Sequence, residues 1–201
     1  MPKKVDRQAR RRLIADALMR IAADRGLEAV SLRHVAAEVG VTTGMVQHYF
    51  ASKDEMMTFA VGVIGDDIGA RMAEAAKDLG SSPSPRALVR AMLIQLLPLD
   101  EPRRREGRVA LAFYAHAAVN PTVAAALHDD VARMIDFVAE QVRAARTASA
   151  APKATDPAVA AAGLLALVEG LVVHVLGGHY PPDSAVAVFD AHVDALFGPP
   201  L

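Results

Sequence analysis

Residues 40 to 56, GVTTGMVQHYFASKDEM, place hydrogen-bonding side chains at the spacing of one helical face. At 100° per residue, a single arc of about 140° contains Thr43, Gly44, Gln47 and His48. Hydroxyl, amide and imidazole groups donate and accept hydrogen bonds, and the glycine permits close approach. This face therefore has the chemistry needed to read base edges in a DNA groove, where Thr and Met methyl groups can also touch thymine methyls.

The helices around this arc must hold it in place. Ser31 is a good N-cap for a helix that ends at Gly40, and Thr42 is a good N-cap for a short helix that runs to about Phe50. So short a connection forces a turn of the helix-turn-helix type, whose second helix enters the major groove. The alternative is a small helical subdomain with an ordinary polar surface. The helix before the turn has an apolar face of Leu32, Val35, Ala36 and Val39.

Periodicity predicts helices along almost the whole chain, and no run alternates with a period of two for long enough to make a sheet. A capping box from Ser52 to Glu55 opens a long fourth helix that the residues GSSPSP end. The fold class is therefore all-α, with about nine helices. The first helix carries Leu13, Ile14, Leu18 and Ile21 and ends at Gly26. Further helices are expected near residues 86–97, 103–118, 121–146, 157–177 and 183–197.

Charge is distributed unevenly along the chain. Residues 1–53 carry ten Lys or Arg against five acidic residues, a net charge of +5, which leaves −6 for the remainder. A basic end on an acidic body suggests that the end meets a polyanion such as DNA. On charge alone, an ordinary solvated basic terminus is an equally good interpretation.

Composition excludes several classes of protein. A chain of 201 residues with 53% hydrophobic content can bury a substantial core, and without cysteine it has no disulfide, thiolate metal site or cysteine nucleophile. The basic N-terminus has Asp16 and Arg20 where a signal peptide would need an uncharged core, so we expect a cytoplasmic protein. The apolar stretch 157–178 contains Glu169 and His174, which argue against a membrane span of about 20 apolar residues.

Two longer segments carry a resemblance to a known family. The stretches LIADALMRIAADRGLEAVS and LRHVAAEVGVTTGMVQHYFASKDEMM resemble the DNA-binding domain of the TetR family of bacterial repressors over about residues 10 to 57. The segment LVEGLVVHVLGGHYPPDSAVAVFDAHVDALF is similar to the BetI-like branch. The resemblance implies a helix-turn-helix domain at 1–55 and a regulatory domain for ligand binding and dimerisation at 56–201.

The resemblance also implies which residues meet DNA. Lys53 is expected to contact phosphate at the start of the fourth helix, and Tyr49 lies along the recognition helix. The family usually has an aromatic residue where this chain has Gln47, whose amide can instead read adenine. The full predicted set is Arg33, Thr42, Thr43, Gly44, Met45, Gln47, His48, Tyr49 and Lys53.

The last two helices have more apolar surface than one core needs. The helix at 157–177 is apolar on every side, which is typical of a helix buried all round. The resemblance implies that these helices form a four-helix interface between two copies, with recognition helices about 34 to 36 Å apart over a palindromic operator. The residues predicted for this homodimer interface are Leu164, Leu167, Val168, Leu171, Val175, Val186, Phe189, Val193 and Leu196.

Effector binding is expected among the helices of the regulatory domain. Core packing is the alternative for each aromatic or Met residue, because such side chains are usually buried. Glu169 and His174 are stronger candidates, since polar groups in an apolar helix need partners. The predicted ligand-binding residues are Met92, Gln95, Phe113, Tyr114, His116, Asn120, Phe137, Glu169 and His174.

Together these features predict a repressor that binds a palindromic double-stranded operator as a dimer and is released by a small-molecule effector. We expect no cofactor, no metal and no membrane partner: His174, His179 and His192 lack an HExxH pattern and thiolate ligands. An all-helical enzyme or a helical adaptor with an apolar pocket is the alternative. Against an enzyme, the chain has no GxSxG, P-loop or GxGxxG motif.

Overall fold

The computed structural model describes residues 2–148 and 156–198, so most of the linker predicted at 147–157 lies outside the described residues. The described residues form nine α-helices and two one-turn 3-10 helices, with no strand, which confirms the all-α fold class. The helices are α1 Pro2–Arg25, α2 Leu32–Val39, α3 Thr43–Tyr49, α4 Lys53–Lys77, α5 Pro85–Leu93, α6 Glu101–Ala117, α7 Pro121–Ala148, α8 Pro157–Leu176 and α9 Pro182–Phe197. The 3-10 helices are Leu27–Ala29 and Ile94–Leu96.

Local hydrogen bonds explain the ends of α2 and the start of α3. Ser31 Oγ accepts from the amide of His34 at 3.1 Å, and Thr42 Oγ1 accepts from the amide of Met45 at 3.2 Å. These are the N-caps that the sequence predicts. Gly40 ends α2 with φ 73°, a left-handed conformation that costs other residues a steric clash at Cβ.

The start of α4 differs in one bond from the predicted capping box. Ser52 Oγ accepts from the amide of Glu55 at 3.1 Å, as that motif requires. Glu55 Oε2, however, accepts from the amide of Ala51 at 2.8 Å rather than from Ser52. The other carboxylate oxygen of Glu55 lies 3.1 Å from Arg11 Nη2, so the side chain is held toward α1 and reaches an amide one residue earlier.

The chain divides into two compact units. The N-terminal unit comprises residues 1–66 and 108–128, and the C-terminal unit comprises residues 67–107 and 129–201. Val109, Phe113 and Val123, from α6 and α7, are buried in the same core as the first four helices. The units defined by contacts therefore differ from the domains predicted at 1–55 and 56–201, and that functional division stays a prediction.

Bidentate ion pairs fasten the helices of the C-terminal unit. Arg90 donates to both carboxylate oxygens of Asp190 at 2.7 and 2.9 Å, which joins α5 to α9. The hydrogen bond to Asp190 raises the pKa of Arg90 above its ordinary value. Arg71 donates to both oxygens of Glu106 at 2.8 and 2.7 Å, which joins α4 to α6. A bidentate ion pair restricts the orientation of the two side chains as well as the distance between them, so it adds geometric specificity to the contact between two helices.

Within the single chain, helix α8 is not covered on every side. Val159 is 62% exposed and Val173 is 42% exposed, whereas Leu171 on another face of α8 is buried. Among the described residues, α8 is the one helix long and apolar enough to cross a bilayer by length and composition. Core helices of soluble proteins pass the same test, so the feature is weak evidence for a membrane.

Glycine positions in the N-terminal unit give a first test of this fold. Gly40→Ala should lower the free energy of unfolding by about 1 to 2 kcal/mol, because alanine clashes in the left-handed conformation. Gly62→Ala is the matched control: no heavy atom lies within 4 Å of its added Cβ, and alanine favours helix interiors by about 1 kcal/mol. Urea denaturation followed by circular dichroism measures both, and equal signs for the two changes would contradict the assigned conformations.

Candidate nucleic-acid interface

Helix α3 exposes the polar arc that the helical period predicts. Gly44, Gln47 and His48 are exposed, and Thr43 is partly buried. Val46, on the opposite side, is completely buried in the core of the N-terminal unit. The seven residues of α3 are therefore fixed by one apolar side, and the hydrogen-bonding side chains point to solvent.

The turn between α2 and α3 is compact, and backbone hydrogen bonds hold its first two residues. The amide of Val41 donates to the carbonyl of Ala36 at 2.9 Å, and the amide of Gly40 donates to the carbonyl of Ala37 at 3.2 Å. Ala36 is buried where the two helices approach. Bonds of this kind satisfy the last carbonyls of α2 and set the direction in which α3 leaves the turn.

The remaining predicted DNA contacts lie on α2, on α3 and its N-cap, and at the start of α4, in different environments. Arg33 on α2, Thr42 and Met45 are exposed. Lys53 is partly buried, and its Nζ donates to the carbonyl of Leu27 at 3.2 Å. An ammonium group has three donors, so this bond leaves Lys53 with donors for a phosphate oxygen.

Tyr49 lies at the end of α3, on the side that packs against the core of the N-terminal unit. Its ring is partly buried and packs against the core, and it meets the ring of His48 edge-on with centroids 5.3 Å apart. Tyr49 thus braces the imidazole of His48, which is itself exposed. The predicted role of Tyr49 in contacting DNA stays a prediction.

Arg11 belongs to this site although the sequence does not single it out among the ten Lys or Arg of residues 1–53. Its guanidinium carbon lies 4.6 Å from the ring centroid of Phe50 and 4.4 Å from that of Phe59. The available signal was its position: Arg11 precedes Ile14 by three residues and Leu18 by seven, on the stripe of α1 that faces the core.

The predicted effector residues fall in both units. Met92, Gln95, Phe137, Glu169 and His174 belong to the C-terminal unit. Met92 and Phe137 pack against its core, Gln95 Nε2 donates to the carbonyl of Ala91 at 3.2 Å, and His174 is exposed. The ring of His174 lies 4.8 Å from that of Tyr180.

The other four predicted effector residues belong to the N-terminal unit. Phe113 is buried in its core, and Tyr114 is exposed. Asn120 caps α7, because its Oδ1 accepts from the amide of Thr122 at 3.1 Å, and its Nδ2 lies 3.2 Å from Nε2 of His116. These residues have structural contacts of their own, and the nine do not gather in one unit.

A cavity of about 370 Å³ opens between α1 and α4 of the N-terminal unit. None of the predicted effector residues lines it. Within the described part of the chain, no group of three or more His, Asp or Glu side chains is arranged to hold a metal ion. The cavity is lined by Gln8, Ala9, Arg12, Thr58, Phe59, Gly62, Val63 and Asp66.

Most of the residues predicted for the homodimer interface face the core of their own chain, and their part in an interface stays a prediction. Leu167, Val186 and Leu196 are partly buried against the core of the C-terminal unit. A side chain already enclosed by its own chain has little surface left for a second copy. The residues buried in that core are Leu164, Val168, Leu171, Val175, Phe189 and Val193.

Comparison with protein families covers both parts of the chain. Residues 14–58 match the family described as bacterial regulatory proteins, tetR family. Residues 85–198, more than half of the chain, match the family described as BetI-type transcriptional repressor, C-terminal. This chain belongs to the TetR family. The match at 14–58 includes all of α2 and α3, so the exposed polar arc lies within the DNA-binding part of this TetR-family regulator.

Individual relatives agree with this assignment. Over 181 residues the chain is 32% identical to the HTH-type transcriptional regulator PksA of Bacillus subtilis, covering 88% of this chain and 83% of PksA. It is 29% identical to the HTH-type transcriptional regulator BetI of Burkholderia thailandensis, covering 99% of each. The crystal structure of a transcriptional regulator from Rhodococcus sp. Rha1 superposes with a TM-score of 0.82 at 33% identity, covering 92% of this chain and 95% of that one. The TetR-family chain is therefore a transcriptional regulator and not an enzyme.

Proposed function

We propose that this TetR-family regulator is a cytoplasmic repressor that binds a palindromic operator as a homodimer and leaves it when a small-molecule effector binds. The observation that carries the proposal is the exposed face of α3, where Thr43, Gln47 and His48 surround Gly44 while Val46 is fully buried. A rigid helix that presents amide, hydroxyl and imidazole groups has the geometry of a major-groove reader.

Within α3, different side chains suit different contacts. Gln47 is exposed and can form a bidentate amide pair with adenine. Met45 is 48% exposed, which leaves its methyl group accessible to a thymine methyl group. Lys53 and the exposed Arg33 carry positive charge beside this face and are proposed to contact phosphates, which position the protein without reading sequence.

Base reading and phosphate contact respond differently to mutation and salt. After the operator sequence has been selected from randomised duplexes, Gln47→Ala should weaken binding to it by roughly 1 to 3 kcal/mol and leave a scrambled duplex nearly unaffected. Lys53→Ala should weaken both duplexes and reduce the slope of log affinity against log salt by about one unit. Fluorescence anisotropy across a salt series measures both variants. An equal loss on both duplexes for Gln47→Ala would assign that residue to phosphate contact.

The proposed dimer uses the faces of α8 and α9 that the chain's own core leaves uncovered. On α8 the exposed apolar residues include Val159 and Val173. Small side chains on the same helices allow two helices to approach closely, and exposed apolar surface of this kind marks an association site. The exposed small residues are Ala158, Ala162, Gly163 and Ala166 on α8 and Ala187, Ala191 and Ala195 on α9, and His174 and His192 are exposed on the same two helices.

A charge on this face should prevent assembly without unfolding the protomer. Val173→Glu is expected to convert a dimer into a folded monomer, because two copies would each bury an unpaired carboxylate at the interface. Val119→Glu, at an 81% exposed position outside α8 and α9, is the matched control and should remain dimeric. Sedimentation velocity with circular dichroism measures both, and a dimeric Val173→Glu would contradict the proposed interface. Leu171 is unsuitable for this test because it lies in the core.

Helix α4 is the proposed route from effector to DNA. Three residues separate it from the end of α3, and it continues without a break from Lys53 to Lys77, crossing the boundary between units at residue 66. An effector bound in the regulatory region can therefore displace the start of α4 and with it the recognition helix. Such coupling is reciprocal, so DNA must also change the affinity for effector.

That reciprocity is measurable once an effector has been found by a thermal-shift screen of small apolar and amphiphilic molecules. Saturating operator duplex should weaken effector binding by roughly 5- to 150-fold, the range of typical allosteric coupling. Isothermal titration calorimetry gives the two affinities, with a scrambled duplex at the same concentration as the control. An effector affinity unchanged by operator would rule out release by this mechanism.

A further inference from the structure

Arg11 occupies an enclosed position where α1, α3 and α4 meet. Its guanidinium carbon lies 4.6 Å from the ring centroid of Phe50 and 4.4 Å from that of Phe59, and the two rings, whose centroids are 5.5 Å apart, are in contact with each other beside it. Its Nη2 is 3.1 Å from Glu55 Oε1, its Nε is buried, and its side chain is only 25% exposed. A planar cation can stack on aromatic faces and donate within its own plane at the same time, which a lysine ammonium cannot do.

The partners of Arg11 are the residues that fix the carboxyl end of α3. Phe50 is the C-cap of α3 and is completely buried. Glu55 accepts from the amide of Ala51 as well as pairing with Arg11, so one carboxylate holds both the α3–α4 connection and α1. Phe59 is one turn further along α4 and packs against the same core.

A seven-residue helix depends on such contacts because an isolated helix of this length is not stable in water. The amino end of α3 is held by the Thr42 cap, and its middle by Val46. Its carboxyl end, which carries Gln47 and His48, is held through Phe50. Whatever fixes Phe50 therefore sets the depth and angle at which these two side chains reach a groove.

We propose that Arg11 is a positioning residue for base reading: it acts through Phe50 and Glu55 to orient the recognition helix, and it does not contact DNA phosphate. The proposal rests on the DNA-binding function proposed above. Two rings cover the guanidinium and Glu55 opposes its charge, so Arg11 differs from the exposed Arg7 on the same helix. The competing assignment is that Arg11 is one more phosphate contact of the basic N-terminal region.

Arg11→Lys separates these assignments because it keeps the charge and removes the planar stack. If Arg11 positions α3, Arg11→Lys lowers affinity for the selected operator about tenfold, the size of one lost base contact. Affinity for a scrambled duplex stays within about twofold, and the salt slope is unchanged. If Arg11 contacts phosphate, Arg11→Lys binds like wild type and Arg11→Gln lowers the slope by about one unit on both duplexes, which would overturn the proposal.

A second variant, Glu55→Gln, changes the carboxylate partner of Arg11 and leaves Arg11 itself in place. Glu55→Gln retains an oxygen for the amide of Ala51 but turns an amide donor toward Arg11, so it should reproduce the operator-selective loss at smaller size. Arg7→Gln is the control for removing a basic charge from α1 and should leave the ratio of operator to scrambled affinity at its wild-type value. Circular dichroism melts accompany every variant.

The binding measurements on the two duplexes distinguish a positioning role of Arg11 from a phosphate contact. An operator-selective loss in Arg11→Lys and Glu55→Gln, with the salt slope unchanged, supports positioning. Equal losses on both duplexes, or wild-type binding by a folded Arg11→Lys, overturn it; if Arg11→Lys does not fold, Glu55→Gln alone decides on the same criteria. The proposed function fails separately, when the wild-type protein selects no palindromic sequence from randomised duplexes.

Discussion

Burial of one side of a seven-residue helix is the constraint on which the DNA-binding face depends. Starting a helix costs roughly 4 kcal/mol on the helix–coil scale, so α3 cannot persist alone. Val46 and Phe50 are both completely buried, and side chains of this size contribute about 1.5 to 3 kcal/mol each when buried. Because Val46 and Phe50 are buried in the core, Gln47 and His48 face solvent on the opposite side of α3. The polar arc therefore depends on the burial of these two apolar side chains.

Helix α8 also has one buried side and one exposed side, but its exposed side is apolar. Leu171 and Val175 face the core of the C-terminal unit, which α5 and α9 complete through the ion pair of Arg90 with Asp190. Because α8 is apolar all round, Val159 and Val173 remain in water after that core is full. A polar helix would have no such surplus, so the exposed apolar face is the physical basis for the proposed association of two copies.

Charges in the N-terminal unit take distinct roles according to what encloses them. Arg20 pairs with Glu38 at 3.1 Å, Arg11 lies against two aromatic rings and pairs with Glu55, and Lys53 donates to a backbone carbonyl. The net charge of +5 over residues 1–53 still creates an attractive field for a polyanion. Which cations can contact phosphate depends on these individual partners and not on the total.

The sequence by itself determined the helices, their caps and the polar arc, because these depend on neighbours within a few residues: Ser31, Gly40 and Thr42 act on the backbone beside them. It also determined the family, through motifs in α2 and α3. Only the tertiary structure decided which side of α8 is covered, since Leu171 and Val173 are equally apolar and differ only in what packs on them. It alone brought Arg11 to Phe50 and Glu55, because residues about forty positions apart meet through packing, which helical periodicity does not encode.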